Sequence, residues 1–125
     1  GELYEGSTWE ALLFASHHKP KNLTIFIDIN NLIILGETKD CVDLEPIKDK
    51  LEGFGFDLFD VDGHDVGQIK DALDKKSDTT KVILARTVKG KGFSLMENQP
   101  HWHYMNKMSE EEIEQCRKEI NNVPA

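Results

Sequence analysis

The chain has 125 residues, of which 38% are hydrophobic and 30% are charged, a composition typical of one globular domain with a sizeable core. A formal net charge of −8 argues against nucleic acid or an anionic membrane as the main partner, and no apolar run approaches the roughly 18 residues that cross a bilayer. Cys41 and Cys116 lack metal-binding or disulfide spacing, so we predict two free thiols in the reducing cytoplasm.

Helical and strand patterns alternate along the chain. Apolar residues at helical spacing predict helices at about Ser7–His18, after Asp43 (with Leu44, Ile47 and Leu51), after Asp65 and after Ser109. Runs of β-formers predict strands at Leu23–Ile29, Phe56–Val61 and Lys81–Val88, with irregular loops over 30–42 and 89–104. This alternation implies an α/β fold, a parallel sheet with helices on both faces.

The helix ends and buried faces follow from local sequence. Ser7 or Thr8 is predicted to cap the first helix and Asp43 the second, and capping boxes are predicted for the two later helices. The capping pairs are Asp65 with Gln68 and Ser109 with Glu112. The stripes at helical spacing, which we expect to face the core, are Trp9, Leu12, Leu13 and Ser16 in the first helix, Val66, Ile69 and Leu73 in the third, and Ile113, Cys116 (or Arg117) and Ile120 in the last.

Two adjacent carboxamides, Asn30 and Asn31, follow the first predicted strand. Ligands of open parallel sheets bind beyond the carboxyl ends of the strands. A neutral side-chain oxygen followed by a main-chain carbonyl, such as that of Leu32, suits a hard cation such as Mg²⁺ or Ca²⁺. The alternative is a plain turn, because Asn tolerates left-handed dihedral angles.

Other candidate residues lie at a helix start and in the later loops. Glu5, at the start of the first helix, either complements the helix dipole or hydrogen-bonds a cofactor or a neighbouring chain. His64 lies in a predicted strand-to-helix turn. The sequence Lys89-Gly90-Lys91-Gly92 has the glycine-rich, basic character of a phosphate cradle without Walker spacing. His103, on a loop after a strand, is either a proton carrier or merely exposed.

The order and spacing of these segments carry a family resemblance. GELYEGSTWEA, NLTIFIDINNLIILG, VDGHD and TVKGKGFSLMEN with WH resemble the thiamine-diphosphate-binding domain of transketolase, in the split form where that domain is a separate N-terminal subunit. The family's cofactor signature is Gly-Asp-Gly followed further along by Asn. Gly1 matches its second Gly and Asn30 its Asn, so the resemblance implies a single diphosphate-binding domain over 1–125, truncated before Gly1 and incomplete at its N-terminus.

The resemblance implies a role for each matching residue. Asn30 would ligate Mg²⁺ (or Ca²⁺) through its side-chain oxygen and Leu32 through its main-chain carbonyl, and the metal would hold the diphosphate of thiamine diphosphate. Gly1 would donate its backbone N–H to the diphosphate. Glu5 matches the acid that links paired active sites across the subunit interface, and His103 matches the histidine near the diphosphate and the sugar.

The implied activity belongs to an intact assembly. The implied reaction is the transfer of a two-carbon ketol unit between sugar phosphates, as in pentose phosphate metabolism. The resemblance implies that a pyrimidine-binding subunit or domain is needed for this reaction and that the assembly is a homo- or hetero-oligomer. The chain alone is expected to be inactive. It departs from the family pattern at Leu35, where the family has Asp, and at Asn31, where Gly is common, and the signature Asp would precede Gly1.

Three alternatives remain open. One keeps the cofactor and changes the reaction, as in deoxyxylulose-phosphate synthase or the E1 α subunit of 2-oxo-acid dehydrogenase. Another is a truncated non-catalytic module for binding or assembly. The third is a generic nucleotide-binding α/β domain, which the sequence supports least because it has no GxGxxG or Walker motif.

Overall fold

A computed structural model describes residues 1–104 and 107–121, so residues 105–106 and 122–125 of the predicted domain lie outside the described residues. Its strands are β1 (Thr24–Ile29), β2 (Leu32–Ile33), β3 (Gly36–Glu37), β4 (Asp57–Asp62) and β5 (Lys81–Arg86). Its helices are α1 (Gly6–His18), α2 (Thr38–Cys41), α3 (Ile47–Glu52), α4 (Val66–Asp74) and α5 (Glu110–Asn121), with short 3-10 turns at Glu2–Tyr4 and Pro100–His103. None of the described helices has the length and hydropathy needed to span a bilayer.

The chain divides into two compact units. The sheet unit comprises Gly1–Ile29 and Asp43–Thr87, and the loop unit comprises Asn30–Val42 and Val88–Ala125. The sheet unit contains β1, β4 and β5 with three of the helices. The loop unit contains the β2–β3 hairpin, α2, the long loop after β5 and α5.

The sheet unit is built on β5, the central strand of a parallel sheet ordered β1-β5-β4. Successive side chains of β5 point to opposite faces, and Val82, Ile83 and Leu84 are all fully buried. One face packs under α1 and α3, and the other packs under α4. The core side chains are Leu12, Ala15, Ile27, Ile47, Leu51, Phe56, Val82 and Leu84 on the first face and Val61, Ala72, Ile83 and Ala85 on the second. The predicted α/β fold with helices on both faces is confirmed.

Lys81 is a buried cation in this sheet, 7% exposed at the start of β5. Its Nζ donates hydrogen bonds of 2.6 Å to the carbonyl oxygens of Leu73 and Lys75, at the end of α4. A cation at a helix C-terminus is favoured by the helix dipole and by the carbonyls that have no partner within the helix. Lys81 therefore fixes the end of α4 to the central strand.

The predicted capping box at Ser109 is confirmed, and Asp65 caps α4 as predicted but without the return bond of a capping box. The predicted caps of α1 and α3 are wrong. α1 begins after Glu5 with no side-chain cap, because the 3-10 turn before it leads directly into the helix. α3 begins after Pro46, and the carboxylate of Asp43 instead accepts the N–H of Glu45 in a turn ahead of the helix.

The two pairs differ in geometry. The N–H of Gln68 donates to Asp65 Oδ1 at 3.1 Å at the start of α4, but the side chain of Gln68 accepts the N–H of Asp62 rather than that of Asp65. Before α5, the N–H of Glu112 donates to Ser109 Oγ at 3.2 Å and the N–H of Ser109 donates to Glu112 Oε2 at 2.8 Å. Both N-cap bonds join residues only three positions apart, so local sequence is sufficient to predict them.

The predicted buried faces are partly wrong. Leu13 on α1 is 60% exposed, and Val66 on α4 is 78% exposed. α4 contacts the sheet through the small side chain of Ala72, with Ile69 packed beside it. Val66 and Leu73, which the sequence predicted to face the core, are therefore exposed to solvent. On α5 only Cys116 of the predicted stripe is buried, whereas Ile113 and Ile120 are exposed.

Segment 30–42 is more regular than the predicted loop. β2 and β3 pair as an antiparallel hairpin, and α2 follows directly. The N–H of Thr38 donates to the carbonyl of Asn31 at 3.0 Å, which closes the segment on itself. Two-residue strands carry too short a hydrophobic pattern to be recognised from sequence.

Candidate functional site

The carboxyl ends of the three parallel strands are tied together by backbone hydrogen bonds. The N–H of Thr87 donates to the carbonyl of Ile29 at 3.1 Å, and the N–H of Gly63 donates to the carbonyl of Arg86 at 2.7 Å. The Thr87 hydroxyl donates to the carboxylate of Asp28. The exits of β1, β4 and β5 are therefore fixed, as a site beyond the strand ends requires.

The backbone at Gly63 lies so close to the end of β5 that only a residue without a side chain fits there. A Cβ atom at this position would lie 2.5 Å from Cγ2 of Thr87 and 3.0 Å from the carbonyl oxygen of Arg86. Beside it, the N–H of His64 donates to Asp62 Oδ1 at 2.9 Å, and the N–H of Asp65 donates to the carbonyl of Asp62 at 3.1 Å. The predicted strand-to-helix turn is confirmed.

Arg86 forms a charge cluster that the sequence did not predict. Its Nε and Nη2 donate to the two carboxylate oxygens of Asp60 at 3.1 and 3.2 Å, and Nη1 donates to Glu45 at 3.0 Å. The hydrogen bonds to Asp60 raise the pKa of Arg86 above its usual value, against the opposing effect of burial. The sequence does show acidic residues alternating along the segment of β4 and an arginine at the end of β5. It does not show that these two strands pair, so the contact between Arg86 and Asp60 could not be predicted from it.

Gly1 and Glu5 flank the first 3-10 turn of the sheet unit. The carbonyl of Gly1 accepts the N–H of Tyr4 at 3.0 Å, and the N–H of Glu5 donates to the carbonyl of Glu2 at 2.9 Å. Glu5 is exposed and stands at the N-cap position of α1. A carboxylate there is stabilised by the helix dipole, so the structural interpretation of Glu5 has a physical basis in the fold.

Asn30 and Leu32, in the loop unit, are brought together by a hydrogen bond. The N–H of Leu32 donates to Asn30 Oδ1 at 3.0 Å, and Asn31 between them has a φ of 58°. The turn interpretation is therefore confirmed. A carboxamide oxygen has two lone pairs, so this turn also leaves Asn30 Oδ1 able to accept a second partner. No three His, Cys, Asp or Glu side chains within 1–104 and 107–121 are grouped to hold a metal ion.

The glycine-rich loop after β5 is closed by its own hydrogen bonds. The carbonyl of Lys89 accepts the N–H of Asn98 at 2.9 Å, and the N–H of Gly92 donates to Glu97 Oε1 at 3.0 Å. Gly90 has a φ of 75°, and a Cβ there would lie 2.5 Å from the carbonyl oxygen of Met96. The Gly92 amide is thus engaged by a carboxylate, which weakens the interpretation of this loop as a phosphate cradle.

His103 ends the second 3-10 turn and is exposed. Its Nδ1 lies 3.0 Å from Nζ of Lys89, and its ring meets that of Tyr104 edge-on, with centroids 4.8 Å apart. The structure therefore brings together two residues of the loop unit that the sequence treated separately. The candidate residues divide between the units, with Gly1 and Glu5 in the sheet unit and Asn30, Leu32 and His103 in the loop unit.

The two cysteines are unpaired, as predicted. Cys41 is exposed and Cys116 is buried in α5.

Comparison with known proteins identifies the family. The family model "Transketolase, thiamine diphosphate binding domain" matches residues 1–125. The chain is 41% identical over 106 residues to an apulose-4-phosphate transketolase subunit of Actinobacillus succinogenes, covering 83% of this chain and 38% of that protein. It is 37% identical over 114 residues to "6-deoxy-6-sulfo-D-fructose transketolase subunit SqwG" of a Clostridium species, covering 89% of this chain and 41% of that protein.

The fold agrees with that family. The crystal structure of transketolase from Campylobacter jejuni superimposes with a TM-score of 0.86 at 31% identity, covering 98% of this chain and 20% of that one. The chain thus spans about two fifths of the length of the two relatives, 38% and 41%, and a fifth of the solved transketolase chain. The chain belongs to the transketolase family, and it matches the family's thiamine diphosphate binding domain along its whole length.

Proposed function

We propose that this chain is the diphosphate-binding part of a transketolase that transfers a two-carbon ketol unit between sugar phosphates. The observation that carries the proposal is the match of the thiamine-diphosphate-binding family model to all of residues 1–125. Thiamine diphosphate, when bound, supplies the ylid carbon that makes and breaks the carbon–carbon bond. The protein binds and orients this cofactor, and we treat residues 1–125 as one domain for that task.

The residues around Asn30 fit a divalent metal bound to a diphosphate. Mg²⁺ prefers oxygen ligands and commonly takes few of them from protein, the rest coming from phosphates and water. Asn30 Oδ1 is held in place by the N–H of Leu32 and retains a lone pair. We assign Asn30, through its side chain, and Leu32, through its carbonyl, as ligands of Mg²⁺ or Ca²⁺.

The remaining candidates receive roles in the same proposal. Gly1 donates its backbone N–H to the diphosphate, where a residue without a side chain allows close approach. Glu5 lies at a subunit interface and links paired sites, and its exposure at the start of α1 supports this assignment. His103 contacts the sugar substrate and the diphosphate as a hydrogen-bond donor or proton carrier, and its exposure on a loop supports that role.

The names of the relatives support a partner chain, because both describe one subunit of a transketolase. We propose that a pyrimidine-binding subunit or domain completes the active site and that the assembly is a homo- or hetero-oligomer in the cytoplasm. The sugars in the relatives' names differ, because one is a phosphate ester, apulose-4-phosphate, and the other is a sulfonate, 6-deoxy-6-sulfo-D-fructose, so the names do not determine the substrate of this chain. We propose sugar phosphates as the substrate class, with pentose phosphates among them.

Calorimetric titration of thiamine diphosphate with Mg²⁺ into the full protein carrying this sequence, with its pyrimidine-binding partner, tests the proposal. We expect binding, and a weakening of at least about tenfold in Asn30→Ala, since even residues that only orient metal ligands contribute that much. Asn30→Asp keeps an oxygen for both the turn and the metal, so it should retain most of the affinity. The exposed Asn22→Ala is the matched control and should bind like the parent.

The outcomes separate the rival functions. No binding by the parent assembly would overturn the proposal and favour the non-catalytic binding or assembly module. Binding without ketol transfer, but with turnover of pyruvate or another 2-oxo acid, would favour the deoxyxylulose-phosphate synthase-like or 2-oxo-acid dehydrogenase-like enzyme. Equal affinity in Asn30→Ala would remove Asn30 from the metal site.

A further inference from the structure

Thr87, at the end of the central strand, contacts the exits of both neighbouring strands. Its hydroxyl donates to the carboxylate of Asp28, and its N–H donates to the carbonyl of Ile29 at 3.1 Å, so two hydrogen bonds hold the end of β1. On the other side, its methyl carbon Cγ2 fills the space beside Gly63, where an added Cβ would lie 2.5 Å from it. One half-buried side chain therefore joins the ends of three strands.

The methyl contact gives the hydroxyl its direction. Threonine is branched at Cβ and has few favourable χ1 rotamers, so the position of one branch sets the position of the other. With Cγ2 placed beside Gly63, Oγ1 reaches the carboxylate of Asp28. The hydrogen bond to Asp28 is thus a consequence of how the strand ends pack.

Asn30, the proposed metal ligand, is the next residue along the chain after Ile29. Its Oδ1 accepts the N–H of Leu32, so the turn that contains both proposed ligands is ordered from within. A metal site also requires each ligand to be held within about 0.5 Å of its productive position. The turn therefore needs a fixed starting point, and the end of β1 provides it.

We propose that Thr87 is a positioning residue for this turn, because it holds the end of β1 from which Asn30 and Leu32 follow. The inference rests on the proposed function, in which these two residues bind the metal of the cofactor. Thr87 acts through Asn30 rather than on the metal. Residues that orient metal ligands typically contribute tenfold to a hundredfold to metal affinity.

Thr80, just before the start of β5, offers a matched control. Its hydroxyl donates to the carbonyl of Pro20 at 3.2 Å, and its own carbonyl accepts the N–H of Asp57 at 3.2 Å. Thr80 thus fastens the beginning of the central strand to its neighbours as Thr87 fastens the end. A change from threonine to valine at either position removes one hydroxyl hydrogen bond and keeps the shape of the side chain.

Calorimetric titration of Mg²⁺ measures the effect on the site, using the full protein with its pyrimidine-binding partner and saturating thiamine diphosphate. Thr87→Val should weaken Mg²⁺ binding about tenfold, and Thr87→Ser, which keeps the hydroxyl, should recover most of the affinity. Thr80→Val should bind Mg²⁺ like the parent. Parental affinity in Thr87→Val, or an equal loss in Thr80→Val, would overturn the proposal.

A double-mutant cycle tests whether Thr87 acts through Asp28. Asp28→Ala should weaken Mg²⁺ binding as Thr87→Val does, and the double variant should lose little more, because the two side chains share one hydrogen bond. Fully additive losses would overturn this route. Urea denaturation of each variant establishes that it is folded.

Hydrogen exchange in the cofactor-free protein tests the positioning role without relying on the proposed function. The N–H of Leu32, which donates to Asn30, should exchange faster in Thr87→Val and at the parental rate in Thr80→Val. Unchanged exchange in Thr87→Val would overturn the positioning role. A parent assembly that binds neither Mg²⁺ nor thiamine diphosphate would overturn the proposed function instead, and the exchange rates would still decide whether Thr87 orders the turn.

Discussion

The sheet unit and the loop unit are stabilised in different ways. In the sheet unit, Val82, Ile83 and Leu84 are fully excluded from solvent between helices. In the described part of the loop unit, Cys116 alone is a buried side chain. Because apolar burial is the main favourable term in folding, the sheet unit supplies most of the stability, and the loop unit depends on specific polar contacts.

The polar contacts of the loop unit form a clamp between its long loop and α5. The N–H of Ser94 donates to Glu119 Oε2 at 2.8 Å, and the Ser94 hydroxyl donates to the other carboxylate oxygen. Nε2 of Gln115 donates to the Ser94 hydroxyl at 3.0 Å. Binding segments are drawn from the less stable parts of a structure, and the proposed binding residues Asn30, Leu32 and His103 belong to this unit.

The largest predicted effect contrasts two leucines. Leu84→Ala in β5 should lower the free energy of unfolding by about 2–5 kcal/mol, because it leaves a cavity in a fully buried core. Leu35→Ala, at a side chain 81% exposed in the loop unit, should change that free energy by less than about 0.5 kcal/mol. Urea denaturation followed by circular dichroism measures both. Equal effects would refute the difference between the units.

A smaller effect is expected at two glycines with no room for a side chain. Gly63→Ala in the sheet unit places a Cβ 2.5 Å from Thr87 Cγ2 and should cost about 1–3 kcal/mol by overpacking. Gly90→Ala in the loop unit meets the Met96 carbonyl at 2.5 Å with a φ of 75°, and should cost about 1–3 kcal/mol through strain.

Hydrogen exchange separates these two variants. Gly63→Ala should accelerate exchange throughout β4 and β5, whereas Gly90→Ala should accelerate it mainly in the loop that contains Lys89 and His103. Gly6→Ala is the control, because a Cβ there would meet nothing within 4 Å and alanine is a better helix former. Global acceleration in Gly90→Ala would mean that the two units unfold as one.

The smallest effect concerns the clamp on α5. Two hydrogen bonds from Ser94 lower the pKa of the Glu119 carboxyl. The bond from the Ser94 hydroxyl has the larger effect and the bond from its backbone N–H the smaller. A carboxyl with a depressed folded-state pKa stabilises the fold above its unfolded value of about 4.3, and this contribution is lost as the pH falls through the folded pKa.

Ser94→Ala should therefore raise the pKa of Glu119 toward its usual value, as measured by carboxyl ¹³C titration. Asp65 is an internal control in the sheet unit, because the pKa of its carboxyl is lowered by hydrogen bonds from Gln68 and should not change. An unaltered Glu119 titration would show that the clamp is not formed in solution.

Local sequence was enough for the elements whose causes are local. The apolar run of β5 predicts a strand buried on both faces, and Asp65 and Ser109 start helices because their partners are three residues away. Local sequence was not enough to predict which faces of α4 and α5 are buried. The segment that packs against each helix decides this, so that Ala72 is buried and Ile120 is exposed. Nor did local sequence reveal the β2–β3 hairpin, whose strands of two residues each are too short to show an alternating hydrophobic pattern.

By itself, then, the sequence determined the fold class, the family and the candidate residues Gly1, Glu5, Asn30, Leu32 and His103. The fold class follows from hydrophobic periodicity, which depends on neighbours along the chain, whereas the family and the candidate residues follow from the resemblance of short motifs to those of the family. Only the tertiary structure decided which distant groups meet: Arg86 with Asp60, 26 residues apart, and Lys89 with His103, 14 apart. Such pairs depend on strand order and loop closure, and these follow from the packing of the whole chain rather than from any one segment of it.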